Sequence, residues 1–268
     1  MQPFAQAAAR NLTAVREQKP LIHNITNFVV MNFTANALLA MGAAPVMAHA
    51  IEEVEEMVAL AGALVLNIGT LTAEWVEAMI RAGQQASRRQ TPIILDPVGA
   101  GATGLRTRSA QRILAATKVQ VVRGNASEIL ALHEASTRTR GVDSSHAVDA
   151  AAAAASRLAR DLKTTLAITG PIDLITDGNR VLRVHNGHPL MATVTGTGCA
   201  ATAIIGAFLA VDLDPVSAAA TALAYFGLAG ERAAFHAAAP GSFMVQLLDN
   251  LYTITPAELS RDCRIVTA

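Results

Sequence analysis

With only two cysteines among 268 residues, Cys199 and Cys263, the chain has no material for a disulfide framework. No Cys or His spacing resembles a metal-ligand set either. Neither sign of charge is in surplus: Lys plus Arg and Asp plus Glu number 21 each, for a net charge of zero. A global basic field that would draw nucleic acid or an anionic membrane surface is therefore excluded. No apolar run reaches the roughly 18 residues of a membrane span. The longest, around 147–155 and 198–211, are broken by polar residues. The first ten residues lack the basic start and apolar stretch of a secretory signal. These absences lead to the expectation of a soluble, cytoplasmic protein with neither nucleic-acid nor membrane partners.

What is present is apolar: 52% of residues are hydrophobic against 16% charged. A chain of this length and composition can bury a large core. So much Ala, Leu and Val with so little charge also points to helix faces buried beyond a monomer's own core, and hence to an oligomer. Short β-branched runs at 21–24, 45–47, 63–67, 92–95, 118–122 and 164–169 alternate with helical stretches at 27–40, 51–60, 73–88, 106–117 and 146–162. Near-continuous apolar strands separated by helices predict an α/β fold with a mostly parallel central sheet covered by helices on both faces. Residues 171–176 and 180–185 read as two further strands joined by Asp177-Gly178-Asn179, a β-hairpin signal placed before a glycine-rich loop. Helices are expected near 198–211, 215–235 and 241–251, and the segment after Pro256 reads as a poorly anchored end. No repeat or linker divides the chain, so residues 1–268 are expected to form one domain. Whether 141–149 is a lid or a plain connection stays open.

The glycine-rich turn Thr195-Gly196-Thr197-Gly198-Cys199 runs straight into an apolar, helix-length segment. Glycine lets backbone N–H groups crowd around one point, and a helix starting there adds unpaired donors and the positive end of its dipole. Such a turn can trap an anion, phosphate above all, with the titratable Cys199 at its rim. A Gly-x-Gly turn also serves simply to begin a packed helix, so its weight depends on what else it meets. In a parallel sheet, ligands sit beyond the carboxyl ends of the strands. Polar clusters fall at five of those ends: His23-Asn24 with Thr26-Asn27, Asn67 to Thr70, Asp96 to Gly101, Arg123 to Glu128, and Thr169-Gly170.

Each cluster has a plain reading beside its chemical one. Asp96, followed by Pro and a Gly-rich loop, is either a turn cap or a carboxylate holding a Mg2+-bound water. Asn125 and Glu128, three apart at a helix start, are either a capping pair or part of a metal–phosphate site that Arg123 faces. Thr169 could offer a hydroxyl to nucleotide phosphates or simply end a strand. Asn24, Asn27, Asn36 and Met47 surround the other half of the cleft. The Met47 thioether could pack against a flat, sulfur-containing ring or be plain core. His23, His49, His185 and His188 read as packing or surface residues, Trp75 as core or interface, and Cys263 receives no role.

In order and completeness these motifs resemble the ribokinase-like superfamily and, within it, the hydroxyethylthiazole kinases of thiamin salvage. The resemblance runs from Pro20-Leu-Ile-His-Asn-Ile-Thr-Asn27 to Pro240-Gly-Ser-Phe243. Its most specific pieces are Thr34-Ala-Asn36 with the run ending at Met47, Leu66-Asn-Ile-Gly-Thr70, Asp96-Pro-Val-Gly-Ala-Gly101, Arg123-Gly-Asn-Ala-Ser-Glu128 and Val194-Thr-Gly-Thr-Gly-Cys199. The resemblance implies transfer of the γ-phosphoryl of ATP to the alcohol of 4-methyl-5-(2-hydroxyethyl)thiazole, with Mg2+ as cofactor. Met47, Gly196 and Asn24 would contact the thiazole, and Arg123, Thr169 and Asn125 the ATP. Asp96 and Glu128 would hold the metal through water, and Gly196, Gly198 and Cys199 would serve catalysis. It also implies a homotrimer with the pocket near the subunit boundary. Related kinases carry Asp where this chain has Cys199, which favours the thiazole branch. The competing readings are a kinase of another small alcohol such as hydroxymethylpyrimidine, and a non-catalytic thiazole- or nucleotide-binding protein on the same fold. A dinucleotide-binding dehydrogenase fits less well, because the glycines follow a late hairpin and not the first strand.

Overall fold

The computed structural model describes residues 3–133 and 147–267. Most of the 141–149 connection lies outside the described residues. The sheet has nine strands in the order β2-β1-β3-β4-β5-β6-β7-β8-β9. These are β1 (Leu21–Ile25), β2 (Ala44–Val46), β3 (Ala63–Asn67), β4 (Ile93–Asp96), β5 (Val121–Asn125), β6 (Thr165–Thr169), β7 (Asp173–Thr176), β8 (Val181–Val184) and β9 (Ile265–Thr267). The first six pair in parallel, and β7, β8 and β9 pair antiparallel. Strand β2 lies on one side of β1 and β3 on the other, which makes a topological switch point of the kind that opens a crevice at the strand ends.

Alternation along the strands sorts the core into two layers. Ile22, Ala63, Val65, Ile94, Val121 and Ala167 face one way. They pack under α1 (Pro3–Gln18), α2 (Met31–Met41), α8 (Thr197–Leu209), α9 (Pro215–His236), α10 (Pro240–Thr253) and α11 (Pro256–Asp262). Ile25, Leu64, Leu66, Ile93, Leu95, Val122 and Leu166 face the other way. Over them lie α3 (Val54–Leu60), α4 (Ala73–Arg89), α5 (Gly104–Ala116), α6 (Ala126–His133) and α7 (Ala147–Leu162). Helix α8 carries no charged residue and is buried from Ala200 to Leu209, between the sheet on one side and α9 and α2 on the other.

Three expectations need correction. The fifth strand is not 118–122 but Val121–Asn125, so Arg123, Gly124 and Asn125 belong to the sheet and pair with Ala167, Ile168 and Thr169. The second helix starts at Met31, because Thr26 to Val30 form the turn above β1. The segment after Pro256 is firmly anchored. Thr255 and Glu258 form a capping box at the start of α11, Leu259 is fully buried, and Arg232 of α9 bridges Glu258 and Asp262. Strand β9 then adds itself to β8. Leu259→Ala should therefore lower the unfolding free energy by about 2–4 kcal/mol. A denaturation midpoint unchanged from wild type would contradict this anchoring.

Candidate active site

Strand parity brings the polar residues together. Asn24, Asn67, Asp96, Arg123 and Thr169 each lie an even number of residues from a neighbour in the layer under α8, so all five share that face. Asn67 stands beside Asp96 in register, and Asn125 beside Thr169, at the carboxyl edge of the parallel strands. Helix α8 points its N-terminus at the same edge. Thr202 Oγ1 donates to Asp96 Oδ2 at 2.8 Å, which fixes the helix against β4. Asn67 Nδ2 donates to the same oxygen at 2.9 Å, and Asn27 Nδ2 donates to Asn67 Oδ1 at 2.8 Å and to Cys199 Sγ at 3.5 Å.

Gly196 precedes the helix with φ of +86°, and a Cβ there would also sit 2.9 Å from Val30 Cγ1. Among the described residues no side chain caps this helix. The backbone N–H groups of Thr197, Gly198 and Cys199 are thus left for an anion. Gly198 lets a cation come close: a Cβ on it would lie 2.6 Å from Arg123 Nη1. The guanidinium donates from Nη2 to Thr169 Oγ1 at 2.5 Å, and its Nη1 lies 3.7 Å from Asp96 Oδ2.

Burial sets the protonation of this cluster. It pushes the fully buried Asp96 carboxyl up to about 6, against the opposing pull of Arg123. Burial, with Asp96 nearby, pushes the Cys199 thiol up to about 11, so the sulfur is a neutral thiol at neutral pH. Asp173, whose Oδ1 accepts from Gly170 N–H at 3.0 Å, is likewise raised to about 6 by burial.

The carboxylates suit a magnesium ion held through water and phosphate. Asp96 Oδ1 is buried with no hydrogen-bond partner among the described residues, which leaves an acceptor oxygen unsatisfied. Glu128 is held in place as Oε1 accepts from Gly99 N–H at 2.8 Å and Oε2 from Asn125 N–H at 2.9 Å. Among the described residues no group of three His, Cys, Asp or Glu could grip a cation directly. Mg2+ commonly uses one or two carboxylates and completes its shell with phosphate and water, so the donor set fits.

A cavity of about 540 Å3 opens beside this cluster. Arg123, Thr169, Gly170 and Gly198 line it, as do residues that the sequence reading did not single out: Asp173, Asn186, Gly187 and Met191, with Leu223 and Phe226 of α9. His188, read above as a packing or surface residue, lines it too. Asn125 does not line it. Its Oδ1 accepts from Glu128 N–H at 2.9 Å, so Asn125 and Glu128 form a reciprocal cap on α6. Asn24 is fully buried, donates to the Ile22 carbonyl at 2.8 Å and lies away from the cavity. Asn36 is exposed and bonded to Asn32 within α2. Met47 is half-buried just beyond β2. Nearby, the Trp75 ring packs against both Phe28 and His49 at 4.7 Å. Arg106 was also missed: it donates to the carbonyls of Ile68, Gly69 and Val98 and so ties the loops after β3 and β4 together.

Sheet order, the antiparallel extension and the uncapped start of α8 beside the buried Asp96 give the chain an α/β fold of the ribokinase-like type. A ribokinase-like superfamily protein from Enterococcus faecalis has this fold, with a TM-score of 0.61 at 16% identity over 93% of this chain and 89% of that one. The chain belongs to the hydroxyethylthiazole kinase family, whose model matches residues 12–257. A hydroxyethylthiazole kinase from Desulfotalea psychrophila is 64% identical over 265 residues, covering 99% of this chain and 97% of that protein. The solved structure of a hydroxyethylthiazole kinase from Pyrococcus horikoshii has a TM-score of 0.90 and 47% identity, covering 97% of this chain and 98% of that one.

The raised Asp96 carboxyl has a consequence for stability. The folded chain binds this proton more tightly than the unfolded one, so stability present below the ordinary value of 3.8 is lost as pH rises through about 6. Asp96→Asn, which cannot ionise, should gain on wild type across that window by roughly 1–3 kcal/mol. Urea denaturation on either side of the window measures this, and a difference that does not change with pH would contradict it.

Proposed function

We propose that the chain transfers the γ-phosphoryl group of ATP to the hydroxyl of 4-methyl-5-(2-hydroxyethyl)thiazole, giving the thiazole phosphate and ADP. The observation that carries this reading is the uncapped first turn of α8 beside Arg123 and Asp96, in a chain of this family. In phosphoryl transfer the protein supplies positioning and charge stabilisation more than covalent chemistry. The N–H groups of Thr197, Gly198 and Cys199 receive the transferring phosphoryl, and Arg123, steadied by Thr169, faces the phosphate tail. Asp96 and Glu128 would hold Mg2+ through water, and the ion would supply charge neutralisation to the phosphates. Because Cys199 stays protonated and is bonded to Asn27, it positions the alcohol and does not take its proton.

Met47, Gly196 and Asn24 are assigned to the thiazole in this reading, with Asn24 fully buried. Phe28 and Val29, 61% and 65% exposed, leave an apolar surface beside the Trp75 cluster. A homotrimer that covers this surface and brings the thiazole pocket to a subunit boundary is part of the proposal. So is a single kinase domain acting in the cytoplasm, where ATP is at hand. Among the described residues no helix is long and apolar enough to cross a membrane.

Mg2+-dependent ADP release, measured with hydroxyethylthiazole beside hydroxymethylpyrimidine and ribose, tests the reading. Turnover confined largely to the thiazole is expected. Binding of ATP or thiazole without ADP formation from any acceptor would refute it. Glu128→Ala, which removes a metal carboxylate, should lower kcat by about 100-fold or more. Cys199→Ser should stay within about tenfold of wild type. Complete loss of activity in Cys199→Ser with ATP binding intact would reverse that ranking.

A further inference from the structure

We propose that Glu231 and Arg264 are positioning residues for the nucleotide, fixing through Asn186 the cavity wall beyond β8 without touching ATP themselves. This rests on the kinase reading above and extends it to residues far from the reacting phosphate. The cavity holds the cationic Arg123 together with the apolar Leu223 and Phe226, the combination that a nucleoside triphosphate needs. Part of its lining, Asn186 and Gly187, lies past the last sheet register pair, Val184 with Ile265. Something other than the strand ladder must hold that wall.

The hydrogen bonds show what holds it. Gly187 N–H donates to Glu231 Oε1 at 2.7 Å. Asn186, 4% exposed, accepts at Oδ1 from Arg264 N–H at 2.7 Å and donates from Nδ2 to the Asp262 carbonyl at 3.2 Å. The Arg264 guanidinium closes the circuit. Its Nη1 donates to Glu231 Oε2 at 3.1 Å, and its Nη2 donates to Glu231 Oε1 and, at 2.7 Å, to the His185 carbonyl. One carboxylate on α9 thus receives both the wall and the cation that precedes β9. On the other side the wall rests on bare helix backbone: a Cβ at Gly227 would lie 2.4 Å from the Asn186 carbonyl oxygen. Asn186 is clamped between α9 and the segment Asp262 to Arg264, and any loosening there is felt first in the nucleotide cavity. The phosphate end, built on Arg123, Thr169 and the start of α8, takes none of these bonds.

Four variants test this. Glu231→Ala removes the acceptor for Gly187 and Arg264. Arg264→Ala removes the side chain beyond Cβ from a half-exposed position and keeps the backbone N–H that Asn186 accepts. Gly227→Ala forces the wall off α9. Glu231→Gln keeps the shape and an acceptor oxygen. The first three should raise KM for ATP by about three- to tenfold, and Glu231→Gln should return it to within about threefold of wild type. The thiazole KM and kcat should stay within about twofold throughout. Calorimetric titration with ATP alone should give the same ranking, which tests the wall even if the thiazole proves not to be the acceptor. The proposal is overturned if ATP affinity stays within about twofold of wild type in the Arg264 and Gly227 variants. It is equally overturned if both KM values rise in parallel with a fall in Tm, since that pattern marks general destabilisation.

Discussion

The Asp96 carboxylate is the joint on which the site is built. Placing an acid at 0% exposure costs heavily unless its oxygens are hydrogen-bonded and a cation stands near. Here Oδ2 receives both Asn67 and Thr202, and Arg123 lies within 3.7 Å. The Thr202 bond has a geometric effect beyond satisfaction. It pins α8 along its own axis relative to β4, and the helix start can then lie only at the carboxyl edge of the strands. Gly196, Gly198 and Cys199 are carried to the polar cluster by a contact one turn further along the helix.

Electrostatics at this edge is shared between groups that also do structural work. Asn125 and Glu128 cap α6 reciprocally, yet the same Glu128 carboxylate reaches Gly99 in the loop after β4. The cap and the proposed metal position are therefore one arrangement, not alternatives. The strand-end residues are spent in a similar way: Asn67 supports Asp96 while accepting from Asn27, and Asn27 supports Cys199. A thiol raised to about 11 in this setting is uncharged, and a neutral sulfur beside a helix start does not compete with an incoming phosphate for the N–H groups.

Much of this was legible in the sequence where residues act locally. The apolar run Ala63–Asn67 reads as a buried strand from its composition alone, and the structure has those bounds. The edge clusters were visible because polar residues abruptly follow apolar ones. Strand parity in the same apolar runs was available to group Asn67 with Asp96, Arg123 and Thr169, and to single out the face under α8. What stayed hidden depends on partners distant in the chain. Arg123-Gly-Asn125 looks like a loop, but its backbone pairs with a strand more than 40 residues later. The charges of Glu258, Asp262 and Arg264 resemble a solvated tail until Arg232 and Glu231 are brought beside them. Asn186-Gly187 reads as an ordinary turn after two strands, and only the position of α9 makes it a cavity wall.

The layer over this face is built largely of alanine: Ala200, Ala203 and Ala207 in α8, and Ala218, Ala219, Ala220, Ala222, Ala224 and Ala229 in α9, are all fully buried. Alanine has no side-chain rotamers to lose on folding, so this packing is assembled at little entropic cost. Its tolerance is lopsided as a result. Truncation has almost nothing left to remove, while each added methylene must displace a helix backbone, at about 1–3 kcal/mol. In α8 such a displacement moves the glycine turn with it. This layer has no room to grow, and in α8 the limit on its side-chain volume extends to the placement of the turn at Gly196.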